Sequence, residues 1–362
     1  MDEMVQKSTI QHKYFDMRNL GMVVFSSFSG LGNQSRRLAQ MLKPERILLI
    51  DSSPFSINKE QHPKWYEGFT GFASKGFPTN KAVNIFLNTL THLYIIENPL
   101  NWNLIVEAKR RRIKTYIASN YEFCDNLNHQ HYPLPDYFLM PSHWMINDMR
   151  KRFGRDRVKY LPPPIFPNEF LEAREKNLKR NEAKKRFVHV VGTLAAADRN
   201  GTLLLLEALK HTKQDFELVI TSQHQLPTEY ISEDKRVSYV LGSKQEAHEL
   251  YTDFDAMILP RRFGGLCLPM CEALMSALPV IMPDISPNNS IIPSDWLVPA
   301  EKDGYIMTRT RIDLFSVDVY KLAEKIDEFA VSDLTKAKID AFELAHKEYS
   351  QSSLEEEYKN IW

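Results

Sequence analysis

The stretch that decides the fold is Leu259–Asn289, which reads LPRRFGGLCLPMCEALMSALPVIMPDISPNN. It starts at the end of one short apolar run, passes through a glycine-bearing turn and a helix-like segment, and reaches a second apolar run. Apolar runs that are bounded by Pro and Gly and separated by a helical segment predict a strand, a turn, a helix and a strand. This order is typical of a parallel βαβ unit, in which both strands end at the same edge of the sheet.

The glycine turn Phe263–Cys267 comes just before the predicted helix. Backbone N–H groups at such a turn and at the start of the helix lack partners within the helix and point outward, so the place suits a phosphate. Glu272 lies about one turn into the helix. A carboxylate there would repel a phosphate, but it can bind a neutral hydroxylated group beside it, such as a ribose diol.

With these residues the stretch resembles the donor-binding segment of GT-B glycosyltransferases, in particular the retaining group 1 (family 4) enzymes. Leu268-Pro269 and Pro279-Val280-Ile281 match the family pattern, and the second Glu of that pattern, which holds the nucleotide ribose, falls on Glu272. The first Glu of the pattern, which contacts sugar hydroxyls, is replaced by Gly264. The resemblance implies a donor-binding segment made of Gly264, Gly265, Leu266, Cys267, Leu268 and Glu272.

A second glycine loop follows the predicted strand 187–192 and leads into a helix over 202–209. It resembles the Gly-Arg…Lys-Gly loop of the same family, with Gly192 as its glycine. The family's Lys falls on Asn200, so only Arg199, one residue earlier, offers a cation. Because a diphosphate leaving group needs positive charge, we expect Arg199, together with Arg261 or Arg262, to bind it.

The first half of the chain carries a similar but weaker signal. A buried strand over 21–25 runs into a turn with Gly30 and Gly32 and then a helix, the first βα unit of a doubly wound sheet. The resemblance places this glycine loop beside the donor phosphates. After the predicted strand 115–118, Glu122 is the candidate to orient or deprotonate an acceptor hydroxyl. We therefore predict Glu122, Arg199 and Glu272 as the catalytic residues.

Composition places the chain among ordinary globular proteins, with 43% hydrophobic and 25% charged residues over 362 positions. No apolar stretch approaches the roughly 20 residues that cross a membrane, and the charged start has no secretory pattern. The three cysteines (Cys124, Cys267, Cys271) show neither metal-ligand spacing nor a disulfide framework. A cytoplasmic protein without a bound metal is the expectation.

We predict two doubly wound, Rossmann-like α/β domains separated by a cleft, the GT-B architecture. The proline-rich segment 162–167 suggests an acceptor-side domain over 1–168 and a donor-binding domain over 169–332. A helix over 333–362 should cross back onto the first domain, as the family resemblance implies. Residues 52–80 lack periodicity and are interpreted as a loop that shapes the acceptor pocket, and 171–186 as a charged helix.

Charge is divided unevenly between the halves. Residues 1–168 hold 22 Lys and Arg against 14 Asp and Glu, an excess of +8, and the remainder has the opposite excess, so the whole chain is neutral. This division fits an anionic partner for the first half, or chance differences between solvated faces. The Gly-Gly-Leu-Cys-Leu-Pro variant is similar to viral and phage members of the family, some of which glycosylate modified DNA bases. A hydroxymethylated DNA base, or another anionic acceptor, is the predicted acceptor.

The expected function is transfer of a hexose or pentose from a nucleotide-sugar, UDP- or GDP-linked, to an acceptor hydroxyl with retention of configuration. The resemblance implies no required cofactor. Two alternatives stay open. Loss of the first Glu and the Lys-to-Asn change would fit a catalytically inactive binding protein for nucleotides or glycans, and an epimerase of the same fold would cleave a nucleotide-sugar without an acceptor. The oligomeric state cannot be derived from the sequence.

Overall fold

A computed structural model of the protein describes residues 19–55, 59–127, 131–192, 194 and 196–361. The first of its two large sheets is parallel and has seven strands in the order β3-β2-β1-β4-β5-β6-β7. Those strands are β1 (Leu20–Phe25), β2 (Arg46–Asp51), β3 (Gly71–Lys75), β4 (His92–Ile96), β5 (Lys114–Ala118), β6 (Tyr137–Met140) and β7 (Val158–Tyr160).

The helices of this part connect successive strands. They are α1 (Gly30–Leu42), α2 (Asn80–Phe86), α3 (Asn103–Arg110), α4 (Cys124–Leu127) and α5 (Ile146–Phe153). Helix α1 begins where Ser29 caps it by accepting a hydrogen bond from the Gly32 amide. A side chain at Gly32 would place Cβ only 1.8 Å from the Ser27 carbonyl oxygen, so this glycine lets the helix start directly against the end of β1.

The second large sheet is also parallel and has six strands in the order β10-β9-β8-β11-β12-β13. Its strands are β8 (Lys185–Gly192), β9 (Phe216–Ser222), β10 (Val237–Leu241), β11 (Ala256–Ile258), β12 (Val280–Pro283) and β13 (Leu297–Val298). The helices of this part are α6 (Leu171–Lys179), α7 (Thr202–Leu209), α8 (Leu268–Met275) and α9 (Val319–Val331). Between β13 and α9 the chain forms an antiparallel hairpin, β14 (Ala300–Met307) and β15 (Arg311–Val317).

The chain passes from one hydrophobic core to the other between Leu161, in the first core, and Ile165, in the second. The last two helices are divided between the cores. Helix α10 (Thr335–Tyr349) packs on α8 and the second core, whereas α11 (Gln351–Ile361) inserts Leu354 and Tyr358 into the first. The C-terminal segment therefore ties the two domains together through its final helix.

Sheet topology brings the functional loops to one place. In the first sheet, successive strands are added toward one edge up to β3 and toward the other edge from β4 on, so the strand order reverses between β1 and β4. In the second sheet the same reversal lies between β8 and β11. In doubly wound sheets the crevice for ligands opens outside the carboxyl ends of the strands at such a reversal. The turns after β1, β4, β8 and β11 therefore face the space between the domains, and they include the three glycine turns and the Arg261-Arg262 pair.

The structure confirms the two Rossmann-like domains and differs from the sequence-based expectations in three local details. The predicted loop 52–80 contains β3, a parallel edge strand that is almost fully exposed and so shows no apolar pattern. The helix predicted over 171–186 ends at Lys179, because Lys185 and Arg186 already belong to β8. Sequence analysis also missed the hairpin over 300–317, whose first strand is largely exposed. Among the described residues, no helix has the length and apolarity needed to cross a membrane.

Candidate active site

A cavity of about 630 Å³ lies between the two domains at the carboxyl ends of their strands. Its walls come from the start of α1 in the first domain and from the loops around β8, β9, β10 and β11 in the second. The structure brings seven of the sequence-predicted site residues to this wall: Gly30, Gly192, Arg199, Asn200, Arg261, Leu268 and Glu272. Such a volume is in the range of sites that hold small molecules.

Glu272 lines the cavity from helix α8 and is only 5% exposed. Its Oε2 accepts a hydrogen bond of 2.9 Å from the Tyr251 hydroxyl, and its Oε1 accepts one of 2.8 Å from Nη1 of Arg37. Each carboxylate oxygen has two lone pairs, so each retains capacity for one further donor. A ribose diol in the cavity could supply both donors.

Arg199 and Glu122 meet across the gap between the domains. Nη2 of Arg199 donates to Oε1 of Glu122 over 2.7 Å, and the guanidinium lies 5.1 Å from the ring centre of Phe263. Burial, together with the charge of Arg261, lowers the pKa of Arg199 to about 10. The arginine remains charged at neutral pH. Glu122 and Glu97 oppose the lowering of its pKa, but the second positive charge of Arg261 beside it means that the position favours an additional anion.

Arg261 stands beside Arg199 and is 7% exposed. Its partners are neutral, since Nε donates to the Phe263 carbonyl over 3.0 Å and Nη1 donates to Oδ1 of Asn200 over 3.3 Å. Within the described part of the chain, no carboxylate lies at ion-pair distance from it. The amide of Asn200 is fixed in turn by donating to the carbonyls of Val190 and Val191. A buried guanidinium with neutral partners again favours an anionic ligand.

Gly264 explains how the two arginines come together. Its φ is +121°, and a Cβ there would lie 2.5 Å from Nη2 of Arg199 and 2.5 Å from Nη2 of Arg261. Only glycine combines this backbone conformation with the space for both guanidinium groups. The glycine that replaces the family's first Glu therefore leaves room for two guanidinium groups to converge.

The remaining sequence-predicted residues lie behind the cavity wall or away from it. Gly32 packs on Ser27, and Gly265 contacts Trp144 and Asn120 of the first domain. Leu266 and Cys267 belong to the second core. The structure does not bring Arg262 to the cavity, because its guanidinium holds the hairpin by donating to Asp303 over 2.6 Å and to the Phe315 carbonyl over 3.2 Å.

Glu97, which interacts with Glu122 and Arg199, is a residue that the sequence analysis did not single out. It directly follows β4, in a left-handed conformation with φ of 68°. Burial and the neighbouring Glu122 raise the pKa of Glu97 to about 7, although a hydrogen bond from Asn120 and the charge of Arg199 act in the opposite direction. Its position at the carboxyl end of a strand is the signal that could have identified it, the same signal that pointed to Glu122.

Aromatic residues of the first domain, Phe28 and Trp65, line part of the cavity. Trp65 stacks on His62, with ring centres 4.9 Å apart, and Arg36 lies over Trp65 at 5.7 Å. Of the aromatic side chains in the segment 59–80, Trp65 is the one that lines the cavity, while Tyr66 is buried and donates to the Phe25 carbonyl. Across the described residues, no group of three or more His, Cys, Asp or Glu side chains is arranged to hold a metal ion.

Comparison with known proteins finds a family match over the part of the chain that supplies much of this site. Residues 185–325 match the family "Glycosyl transferases group 1", a segment that contains the loop with Arg199, the arginine pair and Glu272. The chain is 29% identical over 141 residues to EpsF of Bacillus subtilis (strain 168), whose naming as a glycosyltransferase is itself provisional. That alignment covers 36% of this chain and 37% of EpsF, so the chain spans little more than a third of this relative.

Solved structures resemble the chain over nearly its whole length. A glycosyltransferase from Rickettsia africae ESF-5 is 12% identical, with a TM-score of 0.69, and 96% of this chain and 98% of that one are covered. HepE of Anabaena, solved with UDP and glucose, is 11% identical with a TM-score of 0.65, and 95% of this chain and 99% of HepE are covered. At these identities the likeness shows the fold, which is GT-B.

The fold and the family match agree with each other. The protein has two Rossmann-like domains in the GT-B arrangement, and its second domain contains the residues that match the group 1 glycosyl transferase family. These findings support a glycosyltransferase.

Proposed function

We propose that this protein transfers a sugar from a nucleotide-sugar, UDP- or GDP-linked, to an acceptor hydroxyl. The observation that carries the proposal is the convergence of Arg199 and Arg261 beside Gly264, at the wall of the interdomain cavity. Glu122 is ion-paired with Arg199, whereas no carboxylate of the described residues is ion-paired with Arg261. Two guanidinium groups with incomplete compensation suit a diphosphate. HepE, a protein of the same fold, has been solved with UDP-glucose, and this supports a UDP-sugar as donor.

The donor would lie along the cavity from the second domain's loops to the arginine pair. Glu272, with one lone pair left on each oxygen, would accept hydrogen bonds from the ribose hydroxyls. The diphosphate would contact Arg199, Arg261 and the start of α8. Cys267, the residue that caps α8, makes no side-chain hydrogen bond to the helix. The N–H groups of Leu268 and Met270 in the first turn would therefore be available to an anion, whereas Pro269 has none.

Sugar transfer breaks the bond between the anomeric carbon and the diphosphate oxygen and forms a bond from that carbon to the acceptor oxygen. Negative charge grows on the leaving diphosphate, and the two guanidinium groups would stabilise it. Glu122 would take the acceptor's proton once the diphosphate competes with it for Arg199. Retention of the anomeric configuration is proposed from the resemblance of Leu259–Asn289 to retaining enzymes.

For the acceptor we propose an anionic molecule, of which DNA with hydroxymethylated bases is one form. The support is the +8 excess of the first half. Many of its cations already have partners, since Lys109 pairs with Asp136 and Arg152 with Asp125, so only part of this excess is available to a ligand. Binding of duplex DNA should weaken steeply with added salt, and a base in a duplex would have to be flipped out. Duplex affinity that is insensitive to salt would contradict the DNA form.

A thermal-shift screen of UDP, GDP, ADP, TDP and their sugars tests the donor site. At 100 times Kd, one nucleotide should raise the wild-type melting temperature by roughly 5 °C, and Glu272→Ala should lose this rise because the ribose contact is gone. Glu343→Ala, which removes an exposed carboxylate on α10, is the matched control and should keep it. If no nucleotide shifts the wild-type protein, the donor site is refuted.

The screen also identifies the donor for product analysis. Incubation with that nucleotide-sugar and a panel of acceptors should give a glycosylated product and free nucleotide. Binding without any transfer would favour the inactive binding protein, and conversion of the donor into an epimeric sugar without an acceptor would favour the epimerase. The anomeric configuration of the product, measured by NMR, decides between retention and inversion.

A further inference from the structure

Arg37 is the largest charged side chain that the described structure buries completely. It lies on α1 of the first domain and has no exposed surface. Its Nη1 donates to Oε1 of Glu272 over 2.8 Å, and its Nε donates to Oε2 of Glu169 over 2.9 Å. The guanidinium also packs over the ring of Phe170 at 5.4 Å. Neither the sequence motifs nor the donor site described above assigns it a role.

The partners of Arg37 lie on the other side of the gap between the domains. Glu169 and Phe170 belong to the 3₁₀ turn Pro167–Phe170 that leads into α6, and Glu272 belongs to α8. Two carboxylates of the second domain are thus joined by one guanidinium of the first domain. Its rigid, planar donor set holds both carboxylates in defined orientations, which the single ammonium of a lysine could not do.

Glu272 depends on this guanidinium for its place in the cavity wall. It is 5% exposed, and a buried carboxylate without a charged partner is unfavourable. Arg37 and Tyr251 hold one oxygen each, which fixes the side-chain torsions and directs the remaining lone pairs. Without Arg37, Glu272 would keep only the neutral tyrosine and would be free to rotate away from the cavity.

We propose that Arg37 is a positioning residue for nucleotide recognition, which reaches across from the first domain and orients Glu272 toward the ribose of the donor. The inference rests on the proposed donor site. It adds that the ribose contact is completed only when α1 is packed against α8, since the carboxylate that makes the contact is held by the opposite domain. Nucleotide binding and the closed arrangement of the domains therefore stabilise each other.

A merely structural bridge would also bury Arg37, so the test must measure ribose recognition and not only stability. The measured quantity is the affinity ratio, by calorimetry, between UDP or GDP, whichever the wild-type protein binds, and its 2′,3′-dideoxy analogue. In the wild type, hydrogen bonds from the ribose hydroxyls to the carboxylate should give a ratio of about tenfold or more. The ratio should fall toward one in Glu272→Ala and to less than a third of the wild-type value in Arg37→Met.

Further variants keep the experiment decisive if Arg37→Met does not fold. Arg37→Lys retains the positive charge but loses the planar set of guanidinium donors. Glu169→Gln removes the negative charge of a partially exposed partner that orients the guanidinium. Both should give ratios between those of the wild type and Glu272→Ala. Tyr358→Phe removes a buried hydrogen bond to the Pro162 carbonyl, and neither residue lines the cavity, so the ratio should stay unchanged.

The outcomes separate this inference from the proposed function. If the wild-type protein binds no nucleoside diphosphate, the donor site itself fails. If it binds with a clear ribose preference, and the folded Arg37 variants keep that preference at the wild-type ratio, Arg37 is only a structural bridge and the inference is overturned. A ratio that falls equally in Tyr358→Phe would also overturn it, because general loosening between the domains would then explain the loss.

Discussion

Substitution of Gly264 by alanine should separate the two guanidinium groups of the donor site. The new Cβ would lie 2.5 Å from Nη2 of both Arg199 and Arg261, whereas non-bonded heavy atoms rest at about 3.5 Å or more. Each guanidinium must therefore retreat by about 1 Å. Both are tips of flexible side chains, so they can move without disturbing the core. The φ of +121° at Gly264 adds backbone strain to the cost, so the effect on the site is measured by ligand binding and not by stability.

The magnitude follows from what the arginines bind. A charge-assisted hydrogen bond contributes about 1.5–3 kcal/mol. Loss of one such bond between an arginine and the diphosphate corresponds to roughly 10- to 150-fold weaker binding of the donor. A displacement of about 1 Å in a catalytic group can by itself cost on the order of 100-fold in rate. We therefore expect Gly264→Ala to lower kcat/KM for sugar transfer by about 100-fold.

The assay compares two ligands and two glycines. The affinity ratio between the nucleoside diphosphate and the nucleoside isolates the diphosphate contact, and it should fall at least tenfold in Gly264→Ala. Gly154→Ala is the matched control, because Gly154 also has a positive φ, +96°, but a Cβ there meets nothing within 4 Å. It should show the backbone strain of about 1–3 kcal/mol without any change in the ratio. An unchanged ratio in folded Gly264→Ala would refute the assignment of the arginine pair to the diphosphate.

Two further predictions concern buried charges. Because burial and Glu122 raise the pKa of Glu97 from 4.5 to about 7, the folded state binds this proton more tightly than the unfolded chain. The free energy of unfolding should therefore fall by about 3 kcal/mol as pH rises through this window. In urea titrations Glu97→Gln should lose that fall, and parallel pH profiles would contradict it. Lys338 is buried, with its Nζ 2.8 Å from Oδ1 of Asp255. Lys338→Met should therefore lower the free energy of unfolding by about 3–5 kcal/mol, whereas Lys336→Met, at an exposed position, should lower it by less than ~0.5 kcal/mol. Equal urea midpoints for the two variants would contradict the prediction.

Much of the site could be predicted from local patterns. Glu272, Arg199, Asn200 and Arg261 all follow a strand end or a glycine turn, and in parallel sheets those places share one edge. The structure brings these residues to one cavity. For Arg262 its place after a strand end is misleading. The side chain of Arg261 lines the cavity, whereas that of Arg262 binds Asp303 of the hairpin. Sequence adjacency could not show which of the two arginines faces the ligand.

The sequence by itself determined the two parallel sheets, since buried apolar runs, caps and glycine turns are short-range features whose physical meaning does not depend on distant residues. It also determined the placement of Glu272 on a helix after a glycine turn. Only the tertiary structure decided the contacts that complete the site. Glu272 meets Arg37 across 235 residues, and Arg199 meets Glu122 across 77. A charged residue carries no local mark of its partner, so these pairs exist only once the two domains pack against each other.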